Sequence, residues 1–313
     1  MGDDDTTVEV GAPGGDPHET VASAPRPRHT ALVLLVAVAV VAAVVVGAIL
    51  GLGGSGPSVA AAAVVREASR ATLAAHSSDL TLSGSVVANG QTLTLSGSGA
   101  LDLTQRTGQI HLTASGPAVT TTDDEVISGD QAYVSFTAGT TSVSTLVPGK
   151  SWLALPLPAA ASPSSGAGGL VNVLAALKLL QSQGATVTSL GASTIDGVNV
   201  NGYGVTLPTS TLLAAARRAT AAEHLPAAEA RVALQAVRTM TMGLSVWVDD
   251  ANLLRRLDLS VTATTNGTAL DETMRIDLSN YGAPVSVSVP PASEVATLAQ
   301  FQAALARLRG AGG

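Results

Sequence analysis

Residues 31–52, ALVLLVAVAVVAAVVVGAILGL, run for 22 positions without a charged or polar side chain, interrupted only by Gly47 and Gly51. At about 1.5 Å rise per residue, a helix of this length crosses the roughly 30 Å hydrocarbon core of a bilayer. A core helix of a globular domain rarely lacks every polar residue over such a span. A cleaved signal peptide has a shorter apolar stretch, usually about 7–15 residues, and a shorter leading segment. The run is therefore expected to be a transmembrane signal anchor. Arg26, Arg28 and His29 stand just before it, and no basic residue follows within about a dozen positions, so the positive-inside rule leaves the N-terminus in the cytoplasm. Everything beyond residue 52 is then expected outside.

The anchor divides the chain. Residues 1–30 hold six acidic residues, two basic ones and four prolines, with almost no large apolar side chain. Such a segment cannot bury enough surface to fold and is expected to be a disordered cytoplasmic tail. Residues 53–57 are glycine-rich and end in Pro57, a short hinge. Residues 58–313 are long enough for one domain with a core of its own. That domain is nearly balanced in charge, with 17 acidic and 14 basic residues. Balance of this kind argues against nucleic acid, whose phosphates require clustered Lys and Arg. The chain has no cysteine, which excludes disulfides, a thiol nucleophile, a Cys-based zinc site and an N-terminal lipidated cysteine.

From residue 79 the domain alternates with period two. Leu80, Leu82 and Val86 interleave with Thr81, Ser83 and Ser85, and Leu93 and Leu95 with Thr92, Thr94 and Ser96. That spacing predicts strands with one apolar and one Ser/Thr face. Asn89-Gly90 between them is a strong two-residue hairpin signal. It sets Val86 opposite Leu93, Gly84 opposite Leu95, Leu82 opposite Gly97 and Leu80 opposite Gly99. Large residues facing glycines favour strong curvature or close approach. Asp196-Gly197 predicts a second hairpin, from a strand ending at Ile195 to one over 198–207. Asn266-Gly267 predicts a third, joining 254–265 to 268–278. Its register places Leu257 opposite Ile276 and Leu259 opposite Met274. On the other face it places Arg256 opposite Asp277 and Asp258 opposite Arg275. A slip of one residue would undo both charge matches.

Helical spacing marks 169–182, through Leu170, Leu174, Leu177 and Leu180, and an Ala-rich stretch over 209–238 that Pro226 should split. A closing helix is expected over 292–309, and a mobile loop over 156–169. Long one-faced strands with helices on the apolar face make an α+β fold.

Catalytic constellations are not evident. His76, His111 and His224 are scattered and read as solvated or hydrogen-bonded. Asp123-Asp124-Glu125 lacks the ligand spacing of a calcium loop and reads as a solvated turn. Asp249-Asp250 before Ala251-Asn252 reads as a hairpin turn. No nucleophile elbow and no phosphate loop occurs. Neither a metal nor a cofactor is expected. Trp247 falls on the polar parity of its strand, so it is either covered by a helix or exposed for a partner, and cover by a helix is the expectation.

Three ordered stretches carry a resemblance: IDGVNVNGYGVTL (195–207), LSVWVDDANLLRRLDLSV (244–261) and IDLSNYGAPVSVSVPPASEV (276–295). Together with SGDQAYVSF (128–136) and KSWLALPL (150–157), they resemble the actinobacterial envelope lipoproteins of the LppX/LprG type, relatives of the LolA carriers. The likeness covers most of 60–300. It implies a curved antiparallel β half-barrel with helices packed on its concave face, here preceded by one transmembrane helix. It also implies a cavity for acyl chains of lipids or lipoproteins. The lipobox cysteine common in the family is missing, and a tethered domain cannot shuttle across the envelope, which favours local capture or hand-off. The residues expected to line the cavity, or else to form plain core, are Leu80, Leu82, Leu93, Leu95, Leu101, Leu103, Ile110, Leu112, Leu174, Leu177 and Leu180, with Trp152 either at the cavity mouth or in ordinary core packing. The expected function is thus a membrane-tethered, non-enzymatic domain whose partner is a lipid or acylated ligand. The alternative is a tethered module of the same fold that binds an envelope protein or senses envelope state.

Overall fold

A computed structural model describes residues 59–88, 90–117, 119–156, 177, 180, 185–222, 227–265 and 268–310. The 31–52 run, the hinge, Leu174, His224 and most of 156–169 and 169–182 lie outside the described residues. Among the described residues, no helix is long and apolar enough to cross a membrane.

The sheet is built from β1 (Ser77–Ala88), β2 (Gln91–Asp102), β3 (Thr107–Ser115), β4 (Thr120–Ser128), β5 (Gln131–Ala138), β6 (Thr141–Ser142), β7 (Trp152–Pro156), β8 (Thr186–Ile195), β9 (Val198–Thr206), β10 (Thr241–Asp249), β11 (Leu254–Thr265), β12 (Thr268–Ser279) and β13 (Val295–Ala296). Their order is β13-β7-β5-β4-β3-β2-β1-β12-β11-β10-β9-β8, with β6 beside β5. The first half of the chain builds outward from β1. The second half starts at the far edge and works back until β12 pairs with β1, Leu80 opposite Leu278 and Leu82 opposite Ile276. The result is an open, curved and mostly antiparallel sheet. The parallel pairing of β13 with β7 is the exception.

The registers read for the first and third hairpins match residue for residue, and the second turns at Asp196-Gly197 as expected, with a register shift between Ser189 and Gly191. Leu80 faces Gly99, Leu82 faces Gly97 and Val86 faces Leu93. Asp196 and Gly197 both take positive φ, as a type I′ turn requires. Leu257 faces Ile276 and Leu259 faces Met274. On the polar face Arg256 Nε lies 2.5 Å from Asp277 Oδ1 and Arg275 Nε lies 2.7 Å from Asp258 Oδ1. The glycines of the apolar face are there for proximity. A Cβ on Gly97 would fall 2.5 Å from Leu112 Cδ2, and one on Gly108 2.8 Å from Leu101 Cδ1. Leucines of neighbouring strands thus fold down over glycines, which tightens the sheet.

Five helices are described: α1 (Val59–Ala74), α2 (Val143–Leu146), α3 (Thr209–Ala222), α4 (Ala227–Thr239) and α5 (Leu298–Gly310). α3 ends at Ala222 and α4 starts at Ala227, and Pro226, expected to split the stretch, lies outside the described residues. α1 was not foreseen. Its Val65, Ala68, Ser69 and Thr72 recur at helical spacing and are all buried. Ser69 Oγ donates to the Leu177 carbonyl at 2.5 Å, and Thr72 Oγ1 accepts from the Leu254 amide at 2.9 Å. The closing helix begins later than expected. Ala292–Glu294 form a single 3₁₀ turn, and Val295 and Ala296 are taken up by β7 before α5 starts at Leu298. Lys150 Nζ, donating to the Ser293 carbonyl at 2.8 Å, holds that crossing in place.

One core cluster unites α1, Leu177 and Leu180 with residues of β1–β5 and β7–β12, among them Leu80, Ile127, Leu155, Val187, Val246 and Ile276. A second joins α3 and α4 through Leu207, Leu212, Ala216 and Val237. A third, at the far end of the central strands, holds Val86, Ala88, Val261 and Leu270.

Candidate functional site: the apolar face of the sheet

The apolar face extends across the strands because aliphatic residues of one parity enter the core from β1–β5 and β7–β12, with a few buried carboxyls set among them. Its wall is almost wholly Leu, Ile, Val and Ala, since the chain has only 2% aromatic residues. Leu80, Leu82, Leu101, Leu103, Ile110, Leu177 and Leu180 are buried in the main core. Leu95 and Leu112 pack against it half-buried, and half-buried Leu93 packs on the third cluster. Trp152 does not join them. It alternates out of phase with Leu153 and Leu155, whose side chains enter the core, so it stands half-buried on the opposite face.

Two clefts lie away from the middle of this face. One, of about 420 Å³, runs beside α1 between Ala63, Val64, Arg66, Glu67, Arg70 and Asn252. The other, of about 300 Å³, lies near Phe136, Gly139, Ser142 and Ser151.

The acidic triplet is not a turn. Asp123, Asp124 and Glu125 lie in the middle of β4, opposite Leu112, His111 and Ile110 on β3. Asp124 points outward and meets His111 Nδ1 at 2.7 Å. Asp123 and Glu125 share the parity of Ile127 and therefore face the core. Glu125 is fully buried, and Asp123 Oδ1 is sealed from solvent. Burial, with the charges of Glu125 and Asp124, pushes the Asp123 carboxyl up to about 8. A third carboxyl, Glu272, faces the same way from β12. It sits between Val86 on β1 and Val261 on β11 and is only 2% exposed. Burial pushes it up to about 7. Sequence reasoning passed over Glu272, although its even parity with Leu270, Met274, Ile276 and Leu278 was readable.

Among the described residues, the neighbour shown against Trp247 is a strand rather than the expected helix. Its indole lies over Gly202 of β9, where a Cβ would fall 2.5 Å from Cζ3, and its Nε1 donates to Asp258 Oδ2 at 3.2 Å. A glycine on the neighbouring strand thus accommodates a large ring on a polar face. The Asp249 turn forms as expected. Asp249 Oδ1 accepts from the Ala251 and Leu253 amides at 2.9 and 2.8 Å, and Oδ2 from Arg255 Nε at 2.6 Å. Arg255 in turn lies over the Tyr281 ring, 5.2 Å from its centroid. Among the described residues, no group of His, Asp and Glu is placed to hold a metal ion.

No family model matches the chain, and no curated protein matches it in sequence. Among solved structures it resembles two mycobacterial proteins of the kind named above. One is LprF from Mycobacterium bovis, 18% identical, covering 75% of this chain and 99% of that one, with a TM-score of 0.37. The other is the lipoprotein LppX from Mycobacterium tuberculosis, 17% identical, covering 75% and 100%, with a TM-score of 0.36. A DUF1329 family protein from Desulfovibrio piger also matches, 12% identical over 72% and 95%, with a TM-score of 0.26.

Proposed function

We propose that residues 58–313 form a membrane-tethered, extracytoplasmic domain that holds a lipid or acylated ligand on the apolar face of its sheet, without catalysing a reaction. The supporting observation is the extent of that largely aliphatic face over an open sheet. Burial of an acyl chain against it contributes about 0.8 kcal/mol per CH₂. Flexible chains suit such a wall better than rings, because few aromatic side chains are available for stacking. The half-buried Leu93, Leu95 and Leu112 are the first contacts, and the buried Leu80, Leu82, Leu101, Leu103, Ile110, Leu177 and Leu180 form the floor behind them. The 31–52 anchor keeps the domain close to the outer surface of the membrane, where capture and hand-off are local.

Extraction of the full-length chain from its host membrane, followed by native mass spectrometry, tests this. The expected result is an acyl lipid bound at a fixed ratio that survives washing. A lipid-free chain that also fails to take up added lipid overturns the proposal.

A further inference from the structure

Glu272 is the most unusual buried group of the apolar face. No hydrogen bond or ion pair is described for it, and its Oε2 is sealed without a partner. A buried carboxyl of this kind costs several kcal/mol unless it is neutral or finds a partner. It stands on the strip between the main core, which Met274 and Ile276 join from its own strand, and the third cluster, which Leu270 joins. The same face of β1 offers Gly84, Val86 and Ala88, and that of β11 offers Leu259, Val261 and Ala263. None of these titrates. On α3 and α4, the helices nearest that end, Arg217, Arg231 and Arg238 are exposed. Asp123 and Glu125 share the face but stand four strands away, on the order of 19 Å across the sheet.

We infer that Glu272, as a neutral carboxyl, donates its hydrogen to an uncharged acceptor, an ester or amide carbonyl, on the ligand of the apolar face. This rests on the reading of that face as a lipid-binding surface. A protonated carboxyl in aliphatic surroundings is a strong donor, and the carbonyl at the head of an acyl chain is a matching acceptor. Burial pushes the Glu272 carboxyl up to about 7. Ligand recognition is therefore strongest in mild acid and weakens in mild alkali, as the donor is lost and a buried charge appears.

The test offers the full-length chain, in detergent micelles, equal amounts of dioleoylglycerol and its dioleyl ether counterpart, which lacks the carbonyls. Native mass spectrometry reads the ratio of the two bound lipids. At about pH 5.5 the ester is expected to be favoured on the order of tenfold, and at about pH 8.5 the ratio falls toward one. Glu272→Gln, which keeps a donor but cannot titrate, holds its preference at both values. Glu272→Leu binds both lipids equally at both. A wild-type ratio equal to that of Glu272→Leu at the lower pH, with both lipids bound, overturns this inference and leaves the lipid-binding reading standing. Binding of neither lipid overturns both.

Discussion

The domain is expected to lose stability as the pH rises from about 4 to about 8, the reverse of the usual behaviour of paired carboxylates. Asp123 and Glu272 are both raised by burial, to about 8 and about 7, from ordinary values of 3.8 and 4.5. In the folded state each therefore keeps its proton where the unfolded chain has released it. Their contribution is fully present below the unfolded values and disappears as pH passes through the folded ones. For Glu272 the displacement corresponds to on the order of 3 kcal/mol. Asp123 acts in the same direction, with Glu125 beside it resisting a second charge. Urea unfolding across this range measures the slope. Glu272→Gln combined with Asp123→Asn should flatten it and leave the variant more stable than wild type above about pH 8. Stability that rises with pH, or a slope the double variant leaves unchanged, would contradict the burial of these carboxyls.

The second large effect separates floor from contact surface along β2. Leu101 is fully buried and Leu95 is half-buried on the same face. Leu101→Ala leaves a cavity and is expected to cost about 2–5 kcal/mol of stability, with lipid still bound. Leu95→Asp places a charge where the acyl chain lies. It should reduce bound lipid at least tenfold, by the loss of about 1.4 kcal/mol or more, while unfolding at nearly the wild-type urea concentration. Urea melts and the lipid ratio from native mass spectrometry check both. If the two variants behave alike in both measurements, the face is ordinary core with no contact surface.

The strand registers of the first and third hairpins were legible because turn residues and cross-strand pairing agreed. Asp196-Gly197 fixed its turn through residues that tolerate positive φ, and Arg256 and Asp258 met Asp277 and Arg275 only in one register. The buried carboxyls of β4 were illegible for the converse reason. Asp123 and Glu125 share the parity of Ile127, but three acidic residues in a row ordinarily mark a solvated turn, and a charge on the apolar parity breaks the very pattern by which a strand is recognised. Only the pairing of β4 with β3 and β5 reveals which side they face. Trp247 misled in the same way, since the glycine that makes room for it, Gly202, lies 45 positions away in the chain. α1 was missed although Val65, Ala68 and Thr72 carry the helical period, because its Ala-rich start continues the small-residue composition of the hinge. The start of α5 depended on a tertiary contact, the capture of Val295 and Ala296 by β7, which local sequence does not encode.

Photocrosslinking with a diazirine-bearing acyl lipid tests the central claim most directly. The full-length chain is labelled in its membrane and the adducts are mapped to residues. The account predicts adducts on Leu93, Leu95 and Leu112, on the face shared by β2 and β3, and their loss in Leu95→Asp. Adducts confined to residues 31–52, with the sheet unlabelled, would contradict it.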